Sequence, residues 1–359
     1  MSSAEQEAIS QDPFFESRIL LDEMISGMRE GVIVIGNGCQ IFASNAVARS
    51  LLGNGEGDEQ TLENVIADEF VHTAFGDALE SGTSSETKIE IRVGRENRVY
   101  DLRVAPLSFA GERDQKLAIG IFYDITRLER LEKVRQEFLS NVSHELRTPL
   151  TSILAFVETL EDGALEDPEN NRRFLGVIRR NAERMHHLID DILELSSIEA
   201  GKVTVRPRLL ELRPLVEEVW SSVSEKAGNR GIRFTNEVPI DTRVFADPRR
   251  LEQILINLLG NAVKFNREGG TVSAAYSRTA GFHQIQITDT GEGIAPEHLP
   301  RIFERFYRTD TARSRELGGT GLGLAIVKHL ARLHDGEVRV ESSMGQGSTF
   351  TVELSDAAN

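Results

Sequence analysis

The 359-residue chain has a single cysteine, Cys39, which excludes an internal disulfide framework and any multi-cysteine zinc or iron–sulfur site. One Trp and four Tyr are too few for an aromatic-rich binding surface. No stretch approaches the ~18 consecutive apolar residues of a membrane span. The longest pure run near the start, Val32-Ile33-Val34-Ile35, has only strand length. Met1 to Ser10 is polar and acidic rather than basic then apolar, so no secretory signal is expected. Positive charge is also short: 41 Lys+Arg stand against 57 Asp+Glu, a net of −16 that repels a phosphate backbone and disfavours nucleic-acid binding. What is present is an ordinary globular mix, 40% hydrophobic and 27% charged, enough for two or three domains. The expectation is a cytoplasmic protein without a transmembrane segment, although a chain trimmed of a membrane anchor would read the same way.

Three textures follow one another. From 17 to 126, five strand-like runs alternate with turn clusters. Val32 to Ile35, Gly36-Asn37-Gly38 and Gln40 to Ala43 read as a hairpin, and Lys88 to Val93, Val99 to Val104 and Leu117 to Tyr123 supply three more strands. Helix-compatible sequence lies between the second and third runs, so one antiparallel sheet with short helices on one side is predicted.

The second texture is helical. Leu139, Val142, Leu146, Pro149, Ile153, Phe156 and Leu160 alternate steps of 3 and 4; Phe174, Ile178, Asn181, Met185, Leu188, Ile192 and Leu195 repeat the pattern after Asp162-Gly163. A step of about 3.5 sustained over three heptads marks a bundle seam. Asp167-Pro168-Glu169 supplies an N-cap, a first-turn proline and a first-turn acid. Two such helices bury one stripe each, so a homodimer forming four helices is expected. From 203 onward helices and strands alternate with glycine clusters, giving an α+β layer structure whose last hairpin joins Gly336–Glu341 to Ser348–Leu354.

Chemistry concentrates in a few places. His144 lies two positions from both Val142 and Leu146, which at about 100° per residue turns it away from the seam. Glu145 adjoins it, Thr148 follows one turn on, and Pro149 leaves the Glu145 carbonyl without its helical donor. A neutral imidazole is a nucleophile near neutral pH, and a carboxylate on one ring nitrogen makes the other more basic. In the helix predicted over Pro248 to Phe265, Asn257, Asn261 and Lys264 share a flank. Amide oxygens can hold Mg²⁺ that also binds phosphate oxygens, and the ammonium can neutralise them. Asp289-Thr290-Gly291-Glu292-Gly293 follows a strand; such a carboxylate can accept the exocyclic amine of adenine. Gly318 to Leu324 precedes an apolar helix whose free amides suit anions. It is neither a Walker loop nor the dinucleotide fingerprint.

Each box alone is ambiguous, but their order resembles that of the bacterial two-component sensor histidine kinases. Phe138 to Leu150 resembles the H-box, Asn257 to Phe265 the N-box, Asp289 to Ile294 the first glycine box, Phe303 to Arg308 the F-box, Gly319 to Leu324 the second glycine box and Gly345 to Phe350 the third. The resemblance implies a dimeric four-helix phosphoacceptor domain (138–202) followed by an α/β-sandwich Bergerat-fold ATPase domain (203–356). It implies a protein-histidine kinase that uses ATP and Mg²⁺ and passes phosphate to the receiver domain of a response regulator. His144 is then the phosphoacceptor, Glu145 its base and Thr148 the residue positioning water for dephosphorylation of the partner. Arg305 of the F-box joins the catalytic set. Asn257 and Asn261 would hold Mg²⁺, Lys264 phosphate and Asp289 adenine, while Gly291, Gly293, Gly319, Thr320, Gly321, Leu322 and Gly323 would shape pocket and lid. Asn266-Arg267 departs from the family, where a small hydroxylic residue and proline are commoner, and no loss of activity is expected from it. Residues 17–126 resemble a PAS sensor through Glu30 to Ile35, Asn45-Ala46 and Asp124-Ile125-Thr126, with 127–137 as a signalling helix; the residues do not identify a PAS ligand. The H-box through Leu160 also resembles phosphate-responsive sensor kinases. Two alternatives stay open: an ATP-driven conformational clamp with the same pocket type, and a non-catalytic sensor scaffold.

Overall fold

The structure, a computed structural model, describes residues 21–52, 61–62, 66, 68–107, 116–279, 281–309 and 319–356. Gly318 and the first residues of the predicted sensor region lie outside them. The chain divides into two units, 1–137 and 138–359.

The first unit is a five-stranded sheet in the order β2-β1-β5-β4-β3, all pairs antiparallel. The strands are β1 (Gly31–Ile35), β2 (Ile41–Ser44), β3 (Ser85–Val93), β4 (Glu96–Leu107) and β5 (Leu117–Asp124), with α1 (Ala46–Leu52) and α2 (Glu69–Ser81) between β2 and β3. Every residue of β1 is buried. Ile33 and Ile35 pack with α1 and α2, while Val32 and Val34 pack on the other face with Ile25 and Leu117. The sheet is therefore covered on both faces, not one as the strand pattern predicts. A continuous apolar run rather than an alternating one is the signature of that burial. Two residues fix the packing. Gly120 accepts the Phe75 ring so closely that any Cβ there would overlap it. The buried Asn45 amide donates to the carbonyls of Ile25 (3.1 Å) and Glu30 (2.7 Å), and its oxygen accepts the amides of Val32 (3.1 Å) and Ala48 (2.9 Å). His72 Nε2 donates to the Ile66 carbonyl at 2.7 Å, tying α2 to the segment before it.

The second unit begins with a helical hairpin. Helix α3 (Thr126–Glu161) starts in the first unit and carries Pro149 in its interior; α4 (Pro168–Glu199) returns after a turn at Gly163, whose φ is 110°. Asp167 caps α4 by accepting the amides of Glu169 (3.1 Å) and Asn170 (3.3 Å). The predicted seam is real: Phe156 and Phe174 lie 5.3 Å apart, and Asn181 donates to Ser152 at 3.3 Å. Yet Leu150, Leu154, Ile189 and Leu193 remain exposed at i, i+4 spacing, two apolar stripes that one hairpin does not cover.

The rest is a sandwich. One layer is the sheet β11-β12-β10-β9-β7, built from β7 (Arg233–Asn236), β9 (Thr271–Thr279), β10 (Phe282–Asp289), β11 (Val338–Ser343) and β12 (Gly347–Ser355); β7 runs parallel to β9 and the other pairs are antiparallel. A short ribbon pairs β6 (Arg208–Glu211) with β8 (Arg243–Ala246). The second layer holds α5 (Leu212–Gly228), α6 (Pro248–Lys264) and α7 (Gly323–Leu333). Asp247 caps α6, accepting the amides of Arg249 and Arg250, with Pro248 in the first turn. Leu251, Ile254, Leu255, Leu258 and Leu259 of α6 share one core with Ile285 and Ile287 of β10 and Ile326 and Leu330 of α7. Each such side chain contributes about 2 kcal/mol by leaving water. That core fixes the flank of α6 and the end of β10 relative to the start of α7.

The acceptor helix and the nucleotide-module boxes

His144 is exposed on α3, as its angular position requires. Thr148 Oγ1 donates to the His144 carbonyl at 3.2 Å, one residue before the Glu145 carbonyl that Pro149 leaves without its helical donor. Glu145 is not on the imidazole. Its Oε2 accepts Arg184 Nη2 of α4 at 3.2 Å and Arg308 Nη2 at 3.0 Å. The expected hydrogen bond between Glu145 and His144 is absent among the described residues: adjacent helical residues diverge by about 100°, and Glu145 faces inward.

Across the sandwich, Asp289 ends the inward-facing series His283, Ile285, Ile287 and Asp289 of β10. It is buried, and burial pushes its carboxyl up to about 6 against the opposing pull of the Gly291 and Ser348 amides. The glycine boxes exist because backbone passes too close for side chains. A Cβ at Gly293 (φ 71°) would strike the Ser343 carbonyl, one at Gly347 (φ 102°) the Asp289 carbonyl, and one at Gly321 (φ 75°) would lie 2.8 Å from Phe306 Cα. Phe306 itself has φ 61° and donates its amide to the Gly321 carbonyl at 2.9 Å, so the F-box and the second glycine box form one joint.

On α6, Asn257 Nδ2 donates to the Gln253 carbonyl at 3.1 Å, which turns Oδ1 outward; a Cβ at Gly323 would lie 2.5 Å from that oxygen. Asn261 sits one turn on and Lys264 less than a turn further, its ammonium against Gly319 and 4.7 Å from the Phe265 ring centre. Burial, with Arg308 and Arg184 nearby, lowers Lys264 to about 8. The Asn257 amide oxygen and a largely buried ammonium with no acid partner among the described residues fit a cation-bridged polyphosphate. Asn266, at the position that departs from the family, is buried; it donates to the Thr271 carbonyl at 3.0 Å and accepts the Arg267 amide at 3.0 Å.

Two expected site residues point elsewhere. Arg305 pairs with Glu199 of α4 at 3.0 Å and lies over the Phe138 ring. Thr320 Oγ1 donates to Asp191 of α4 at 2.7 Å while accepting the Leu322 amide at 3.2 Å. The other F-box arginine, Arg308, its side chain 7% exposed, bridges Glu145 to the Gly319 carbonyl. Sequence reasoning singled out neither Arg308 nor Arg184 and Asp191. A motif with two arginines three apart does not say which faces inward.

Residues 134–201 match the His Kinase A (phospho-acceptor) domain, and residues 246–358 the histidine kinase-, DNA gyrase B- and HSP90-like ATPase family. Sensor protein SrrB of Staphylococcus aureus is 28% identical over 344 residues, 96% of this chain but 57% of that protein, so the chain spans little more than half the length of its curated relatives. Histidine kinase AdeS of Acinetobacter baumannii is 26% identical with a TM-score of 0.51, over 60% of this chain and 98% of that one. Histidine kinase ThkA, solved with response regulator protein TrrA, shares the fold at 23% identity and TM-score 0.51, over 93% of this chain and 98% of ThkA. No described helix is long and apolar enough to cross a membrane. An exposed histidine on a phospho-acceptor hairpin, joined in one unit to an ATPase sandwich with its boxes in order, places this chain in the bacterial two-component sensor histidine kinase family.

Proposed function

We propose that the chain is a protein-histidine kinase whose nucleotide module transfers the γ-phosphoryl group of ATP to His144. The observation that carries this reading is the exposure of His144 on the same unit that holds Asp289, Asn261 and Lys264 around the glycine boxes. Asp289 accepts the adenine amine, Lys264 lies against the phosphates, and Asn257 with Asn261 would hold Mg²⁺. Bound there, the cation would screen the charge that develops on the phosphate oxygens. A His144 ring nitrogen attacks phosphorus; the bond from phosphorus to the bridging oxygen breaks, ADP leaves, and Glu145 takes the proton from the other ring nitrogen. Glu145 is held by Arg184 and Arg308 in this structure, so transfer requires the nucleotide module to re-dock. The phosphoryl group then passes to an aspartate on the receiver domain of a response regulator. Thr148 orients the water that hydrolyses the resulting phosphoaspartate, releasing inorganic phosphate.

The chain acts as a homodimer through the exposed stripes of α3 and α4, and residues 17–126 act as a PAS-like sensor feeding α3 through 127–137. Labelled ATP tests the reading: bound phosphate should survive alkali, be lost in acid and vanish in His144→Gln. A conformational clamp would turn over ATP with no bound label, and a scaffold would do neither.

A further inference from the structure

The helical hairpin presents two carboxylates to the nucleotide module, and both engage groups that face the phosphate end of the proposed site. Glu145 Oε2 takes Arg308, whose other bond goes to the Gly319 carbonyl. Asp191 takes the hydroxyl of Thr320, next in the chain after Gly319. Lys264 lies against that same Gly319. Three features mark the spot as short of negative charge. Lys264 is largely buried without an acid partner among the described residues, Arg308 Nε is buried with no hydrogen-bond partner, and Arg184 adds a third cation. The two carboxylates thus partly occupy an anion site built for more charge than they supply.

We propose that Glu145 and Asp191 are an internal stand-in for the terminal phosphate, so that docking of the hairpin on the nucleotide module and binding of a nucleoside triphosphate exclude one another at Arg308 and Thr320. The inference rests on the reading of the second unit as an ATP site. The docked arrangement is a kinase-off state: Arg308 is held from phosphate, Glu145 from His144, and the loop before α7 is tied to α4. Other pairs hold the same face, Arg305 with Glu199 and Arg250 with Glu194, so the carboxylates sit on a dock that stays closed until something stronger competes. A triphosphate brings that charge and a diphosphate brings less, so the switch reads the γ-phosphate. Coupling is reciprocal: whatever loosens the hairpin raises triphosphate affinity by the same factor.

The test uses the full chain and a non-hydrolysable ATP analogue with Mg²⁺, titrated by calorimetry beside ADP. Asp191→Asn removes charge but leaves a hydrogen-bond acceptor for Thr320, and Asp191→Ala removes both. Expected is analogue affinity rising about fivefold or more in the alanine variant and less in the asparagine one, a range typical of such coupling, with ADP affinity changing little. Should the alanine variant unfold, the asparagine variant decides alone. Unchanged analogue affinity in the folded variants overturns the stand-in and leaves the kinase reading intact. Failure of the parent itself to bind either nucleotide overturns both.

Discussion

The Asp289 carboxylate accepts the Gly291 amide at 2.8 Å while buried at the end of β10, and its pKa is raised to about 6. One residue thereby serves two opposed ends. A carboxyl raised in the folded state favours the protonated form there, so its contribution to stability is full below its ordinary 3.8 and is lost as pH rises through about 6. Asp289→Asn keeps an acceptor for the amides without a charge. It should be more stable than the parent at pH 7.5, by up to about 3 kcal/mol, with the gap closing near pH 4. It should also lose nucleotide binding. Thermal unfolding at the two pH values and a nucleotide titration check both halves; retained ATP affinity would remove Asp289 from the adenine site.

Nucleotide affinity of the parent should itself fall as pH drops through about 6, because the ionised carboxylate is the stronger acceptor for the adenine amine and protonation replaces one of its acceptor sites with a donor. Titrations between pH 5 and 8 measure this, and a flat profile would contradict it.

Gly120 and Phe75 should behave as a pair. Gly120→Ala forces a methyl into the Phe75 ring and should destabilise the first unit by about 1–3 kcal/mol. Combining it with Phe75→Leu should recover part of that loss, since the new methyl then has room. Denaturant unfolding of the two single variants and the double variant gives the coupling energy, and strict additivity would mean that the contact is not the cause.

Thr148→Ala should dephosphorylate the phosphorylated partner at least tenfold more slowly than the parent, the scale of one positioned group in a hydrolytic step, while labelling at His144 stays near the parental rate. Thr148→Ser, which keeps the hydroxyl, should restore most of the loss. Equal partner dephosphorylation in the alanine variant would mean that the Thr148 hydroxyl only serves the His144 carbonyl.

Charge on the uncovered stripes should separate the dimer. Leu154 and Leu193 are 55% and 61% exposed in the single chain, so Leu154→Glu with Leu193→Glu should yield monomers by light scattering without loss of helix signal. A dimer that persists would place the interface elsewhere.

Much of this was legible in sequence because local rules decide it. The 3-4 spacing on α3 and α4 fixed the seam and turned His144 outward, and the Asp167 and Asp247 caps fixed where helices start. Glycines marked close backbone approaches. What could not be read was long-range pairing. Nothing near Glu145 says that its carboxylate meets an arginine 163 positions later. Nothing near Thr320 names Asp191 as its acceptor. Arg305 and Arg308 are alike in sequence and separate only when the left-handed Phe306 turns the chain between them. The doubly covered β1 was readable in principle, since four apolar residues in a row leave no polar face.

The central claim is that the imidazole of His144 receives the phosphoryl group. Tandem mass spectrometry of the full chain, incubated with ATP and Mg²⁺ and digested at neutral to mildly alkaline pH, locates that group directly. The account predicts a phosphoryl mass increment on His144, absent when acid precedes digestion. ATP consumed with no increment on His144, or an increment on another residue, would contradict it.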